Sequence, residues 1–151
     1  MKALTLNQPY ATLIAAGIKS IETRSWAPAR KHIGTRIAIH AGKTLAKSFH
    51  VSTGKIAANY HWPRGRVIAT AKLAAVEKVV AGPGYWVSVN GMLTLAVRTD
   101  GHRPAGMSPL VSVDPHGDFS IGRYRWFLED IEALDPPVPA KGMLGLWEWN
   151  R

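Results

Sequence analysis

Cysteine is missing altogether from the 151 residues. Its absence excludes disulfides, thiolate nucleophiles and Cys-ligated zinc, and suits an intracellular setting. Acidic residues are scarce as well: ten Asp and Glu stand against nineteen Lys and Arg, for a formal charge of +9. A surplus of that size predicts attraction to polyanions, of which nucleic acid is the commonest, against the plainer reading of a solvated basic surface. No apolar run approaches the roughly 20 residues that a membrane-spanning helix needs. Pro9 breaks the opening segment before a signal-peptide core can form. A soluble, cytoplasmic protein is expected, with no membrane partner. The six histidines show neither a helical i, i+4 pair nor a His-x-His spacing, so no metal is expected. Neither a Gly-x-Ser-x-Gly elbow nor a Gly-x-x-x-x-Gly-Lys-Ser/Thr loop is present, which disfavours a serine hydrolase and a P-loop enzyme. No cofactor is expected.

What is there points to one domain of short strands. The length suits one core, and no repeat or linker-like tract divides it. Residues 3–6 read as an opening strand. A helix follows over about 10–16, with Pro9 in its first turn, Leu13 and Ile14 inward, and Gly17 as its stop. Residues 20–26 alternate, Ile21 and Thr23 against Glu22 and Arg24, as a strand with one apolar and one polar face does. Residues 35–41 alternate again. A short helix is expected at 43–49, with room to extend to 58. The clearest β pattern spans 65–80, long enough to imply a curved or bulged strand. Residues 81–122 read as a variable insert with several turn signals and a strand or short helix at 87–97. Residues 124–131 form a strand that Pro136, Pro137 and Pro139 end. The last strand points Trp147 and Trp149 one way, into the core. Many strands and few helices imply a small barrel or sandwich, an architecture that hides strand edges in a short chain.

The densest polar constellation lies at 17–26: Lys19, Glu22 and Arg24 fall within six residues, and Glu22 and Arg24 share a strand face. On composition alone this is most simply a solvated ion-pair set. The ordered pattern around it carries more. Gln8-Pro9-Tyr10-Ala11, then Gly17-x-Lys19-x-x-Glu22-x-Arg24-x-Trp26, resembles the signature of the ASCH family. The resemblance continues through Gly34-x-x-x-Ile-x-His40-Ala41, the strand from Gly65, Tyr124-x-Trp126, and Gly142-x-x-Gly145-Leu146-Trp147. It implies an α+β fold, a small PUA-like β-barrel of about five to six strands flanked by short helices, as one domain over 1–151 with the variable insert at about 81–122. It also implies a cleft beside the first helix that binds RNA or a cytidine-like nucleoside. Small relatives cleave N4-acylated cytidines, and ribonuclease activity has been proposed for others. In the amidohydrolase branch a cleft lysine works with a hydroxyl residue three positions later and a distant glutamate. Lys19 matches the lysine, Glu22 stands where the hydroxyl should be, and only location recommends Glu77 or Glu129 for the last role.

The chemistry admits two versions. In a hydrolase, Lys19 or Glu22 serves as base and Arg24 stabilises an oxyanion. In a binding site, Glu22 accepts from a cytosine amine while Lys19 and Arg24 meet phosphate. Tyr10 and Trp26 are candidate stacking rings, weighed against their commoner role as core filler. Gln8, His40 and Lys43 are expected to border the cleft. The reading is thus a nucleobase-capturing domain leaning towards N4-acylcytidine hydrolysis, with ribonuclease second and a non-catalytic RNA- or protein-binding module as the alternative.

Overall fold

A computed structural model of the protein describes residues 1–47, 62–79, 85–89, 92–96, 116–120 and 122–150, with 85–89 and 92–96 described by their backbone alone. The elements in chain order are β1 (Lys2–Gln8), α1 (Tyr10–Ala15), β2 (Ile21–Arg24), a 3₁₀ turn (Arg30–His32), β3 (Arg36–Leu45), β4 (Arg66–Lys78), β5 (Tyr85–Val89), β6 (Met92–Ala96), β7 (Tyr124–Pro139) and β8 (Leu146–Glu148). Six strands make one mixed sheet in the order β2-β7-β4-β3-β1-β8, and β5 and β6 form a separate hairpin. This is the strand-rich α+β architecture that the alternating pattern implies. No helix among the described residues is long and apolar enough to cross a membrane.

The sheet is open, with β2 and β8 as its edges, yet it curls as a barrel does. Arg24 on β2 donates from Nη2 to the Thr5 carbonyl of β1 at 2.8 Å, although β7, β4 and β3 lie between those strands in the sheet. A guanidinium therefore bridges the seam that a closed barrel would join with a ladder. Curvature of this kind requires bulges, and the β4–β7 ladder shifts register three times.

Pleating sorts the strand residues into two apolar clusters. Leu4, Leu6, Ile37, Ile39, Ile68, Leu73, Trp126 and Leu128 fill the inner face with Ala11 and Ile14 of α1. Ala3, Ala38 and Val67 lie beneath Trp147 and Trp149 on the other. Both tryptophans point one way and are buried, as their alternation predicts. Burial of large side chains such as these is worth roughly 1.5–3 kcal/mol each, and dominates so short a fold.

Two sequence expectations need correction. The helix predicted at 43–49 fails at its start, since Lys43, Thr44 and Leu45 continue β3. Leu45 pairs with Gln8, and Ala46 N–H donates to the Gln8 carbonyl at 2.7 Å, so pairing with β1 overrides local propensity. The rest of that expectation, from 48 to 58, lies outside the described residues. The prolines also do not end β7, which runs on to Pro139. Ala133 pairs with Ala69 and Val138 with Val67, so four residues of β7 bulge opposite one of β4. Pro136 and Pro137 sit in that bulge, where no ladder N–H is required. Of 87–97, read as strand or short helix, the described residues 87–89 and 92–96 lie in the antiparallel strands β5 and β6.

Candidate functional site

Helix α1 is short because Gly17 turns the chain back with a positive φ of 69°. The N–H groups of Ile18 and Lys19 both donate to the Leu13 carbonyl, at 2.9 and 3.0 Å. That reversal aims Lys19 under the helix it has just left. Its ammonium lies 5.9 Å from the centre of the Tyr10 ring. Next, β2 pairs with β7 so that Glu22 stands opposite Trp126 and Thr23 opposite Arg125. Trp126 is fully buried in the inner core, so Glu22 and Arg24 take the inner side and Thr23 the outer.

The outcome is a continuous polar row. Lys19, only 1% exposed, places Nζ 3.8 Å from Glu22 Oε2 and donates to the His116 carbonyl at 3.3 Å. Glu22, 8% exposed, turns Oε1 to Arg24 Nε at 3.2 Å. Arg24 ends the row at the Thr5 carbonyl. A lysine and a glutamate this deep would be costly to bury alone, and each offsets the other's lost hydration. Trp26 backs the row: its ring meets Trp126 edge to face, 4.9 Å apart at 86°, and its carbonyl accepts from the Trp126 indole at 3.4 Å.

Tyr10, Lys19, Glu22 and Arg24 thus come together, with Trp26 beside them. The other candidates do not join the row. Gln8 is fully buried, donating from Nε2 to the Pro63 carbonyl at 2.6 Å and accepting from Thr12 N–H at 3.1 Å, so both ends of its amide anchor α1 and the chain at 63. His40 lies on the other face of the sheet, against Trp147 with ring centres 5.6 Å apart. Its Nε2 donates to the Ala140 carbonyl at 3.1 Å, and burial holds its pKa below the ordinary value. Lys43 is exposed near the end of β3. Glu77 pairs with the buried Arg125, on the face opposite Glu22. Glu129 sits 4.0 Å from Lys72 on the surface.

Three features escape a reading of the sequence. Thr5 is a hub: besides holding Arg24, its hydroxyl accepts from the Trp147 indole at 3.0 Å and donates to the Met143 carbonyl at 3.1 Å. The segment 116–120 borders the site, with the His116 carbonyl at Lys19 and Asp118 N–H donating to Thr23 Oγ1 at 3.0 Å. Arg123 then fastens it, 3.1 Å from Asp118 and 3.4 Å from the Thr23 carbonyl it donates to. The Asp114-Pro115-His116-Gly117 turn signals a reversal there, but nothing in the sequence says which strand it lands against.

A search of curated proteins finds no match. The family model of the ASCH domain matches residues 4–92, a stretch that holds Tyr10, Lys19, Glu22, Arg24 and Trp26. The match spans more than half of the chain, which belongs to the ASCH domain family.

Proposed function

We propose that the Lys19–Glu22–Arg24 row beneath α1 is the floor of a cleft that captures a nucleobase, of RNA or of a free cytidine-like nucleoside. The observation that carries this reading is the buried Lys19–Glu22–Arg24 row beside the Tyr10 ring. An ionised carboxylate accepts only, which suits an exocyclic amine such as cytosine N4. A lysine donates to ring or carbonyl acceptors, and Arg24, the most exposed of the three, suits phosphate. Tyr10 and Trp26 are half-buried at the row, and in this reading they are the rings on which a base stacks. ASCH membership supports an RNA-binding PUA-like domain in general terms, and the charge of +9 favours a polyanion. In this reading residues 1–151 are one domain, and 81–122 is an insert whose last residues border the cleft.

The catalytic version, hydrolysis of N4-acylated cytidine, is favoured by one observation: a carboxylate, an ammonium and a guanidinium converge in a largely buried place. Those groups cover the base, proton donor and oxyanion stabiliser that amide cleavage needs. Ribonuclease action ranks second. The test is incubation of the wild type and Lys19→Ala with N4-acetylcytidine, following the acylated chromophore, beside a binding titration with cytidine 5′-monophosphate and short RNA. Turnover that the variant loses makes the protein an amidohydrolase. Binding without turnover, weakened in the variant, makes it a nucleic-acid binder. A wild type that neither binds nor turns over any of these ligands contradicts the reading.

A further inference from the structure

Among the described residues, Leu144 at 98% and Met143 at 53% are the most exposed large apolar side chains. Single exposed apolar residues are ordinary on protein surfaces. These two differ in how firmly their backbone is held. Ala140 N–H donates to the Gly65 carbonyl at 3.0 Å, and the Ala140 carbonyl accepts from His40 at 3.1 Å. Thr5 holds the Met143 carbonyl. Gly142 lies so close to its neighbours that a Cβ there would be 2.6 Å from His40 Nδ1 and 2.9 Å from Thr5 Oγ1. The tip is displayed on a fixed frame, and binding through it costs little ordering entropy.

Its position matters as much. The carbonyl of Thr5 takes the hydrogen bond from Arg24 while its hydroxyl takes the loop. The backbone that carries the apolar pair and the guanidinium that ends the row therefore share Thr5 as a partner. Gly42 also presses on Thr5, where a Cβ would meet Thr5 Cγ2 at 3.2 Å, and the exposed Lys43 follows it. Exposed Lys141 precedes Gly142. An apolar tip preceded by the exposed Lys141 and joined through Thr5 to Arg24 fits single-stranded nucleic acid, whose bases present flat apolar faces and whose backbone presents phosphates. We infer that Met143 and Leu144 form a second nucleobase contact, for the nucleotide next to the one in the cleft, so that the ligand is a strand rather than a free nucleoside. This rests on the reading of the cleft as a nucleobase site.

The test compares wild type with the double variant Met143→Ser, Leu144→Ser, titrated with cytidine 5′-monophosphate and with an oligocytidine of six nucleotides. Both side chains face solvent, so the variant keeps its fold, which an unchanged Tm checks. The expected loss grows with ligand length: about five- to twentyfold on the hexanucleotide, where a base stacks on the tip, and less than about twofold on the mononucleotide. Equal losses on both ligands, or none on the hexanucleotide, overturn the inference and reassign the tip to a protein partner. If the wild type fails to bind the mononucleotide but binds the hexanucleotide through the tip, the cleft reading falls and the tip contact stands. Binding of neither ligand sinks both.

Discussion

Glu22 is the residue on which the site turns, since one carboxylate serves two cations at 3.8 and 3.2 Å. Removing it and removing Lys19 should have unequal costs. Glu22→Gln deprives a 1%-exposed ammonium of its carboxylate and is expected to lower stability by about 3 kcal/mol. Lys19→Met leaves Glu22 with Arg24 and fills the stem's volume, so about 1 kcal/mol is expected. Urea unfolding of the two variants checks the order, and the reverse order would mean that Lys19, not Glu22, organises the row. The sequence made this much legible, because the i, i+2 strand spacing put Glu22 and Arg24 on one face. It could not show that Thr5, nineteen positions away in the chain, would accept from Arg24. His40 supplies a separate residue-scale expectation. Its folded pKa is lowered from 6.5, chiefly by burial, so the unfolded chain takes up the proton more readily. Stability is therefore full above about pH 6.5, falls as the pH drops below that value, and levels off only below the lowered folded pKa. Asp118, lowered chiefly by Ser120, and Glu148, lowered chiefly by Lys2, start from 3.8 and 4.5, so among the described groups held away from their ordinary values His40 is the one that titrates between pH 5 and 7. The slope of stability in that window should flatten in His40→Gln, and an unchanged slope would assign it to another group.

Among the elements, β2 carries the row although it is only four residues long and lies at the sheet edge. One side pairs with β7 over four residues. The segment 116–120 reinforces it through Thr23 Oγ1 and the Lys19 ammonium. Thr23→Val keeps the shape and removes the acceptor for Asp118 N–H. It should cost about 1 kcal/mol, speed amide exchange at Asp118, and weaken ligand binding through Lys19. Unchanged exchange at Asp118 would mean that Arg123 and Lys19 hold the segment without Thr23. The legible elements were those whose own pattern carries the signal: α1 with its Gly17 stop, and the long alternating β4. The bulge in β7 was not, since its prolines carry a stop signal that only the offset between Ala133 and Val138 on β4 explains. The strand at 43–45 was hidden for the same reason, because β1 supplies its partner.

For the whole molecule, the curl of an open sheet brings β2 round to β1, and with it Arg24 to Thr5. That closure puts the buried row, the 116–120 segment and the exposed tip at 143–144 around one seam. Composition announced the charge of +9 but not its distribution, which depends on which strands meet there. The two faces of the sheet also separate the candidate residues, with Lys19, Glu22 and Arg24 on one and His40 with Trp147 on the other. The most direct measurement is NMR mapping of amide and side-chain shifts as cytidine 5′-monophosphate is added to the protein. The expected result is a set of changes centred on Tyr10, Lys19, Glu22, Arg24, Trp26 and residues 116–120. Changes centred on His40 and Trp147, or no changes at saturating ligand, would contradict a nucleobase site in the cleft.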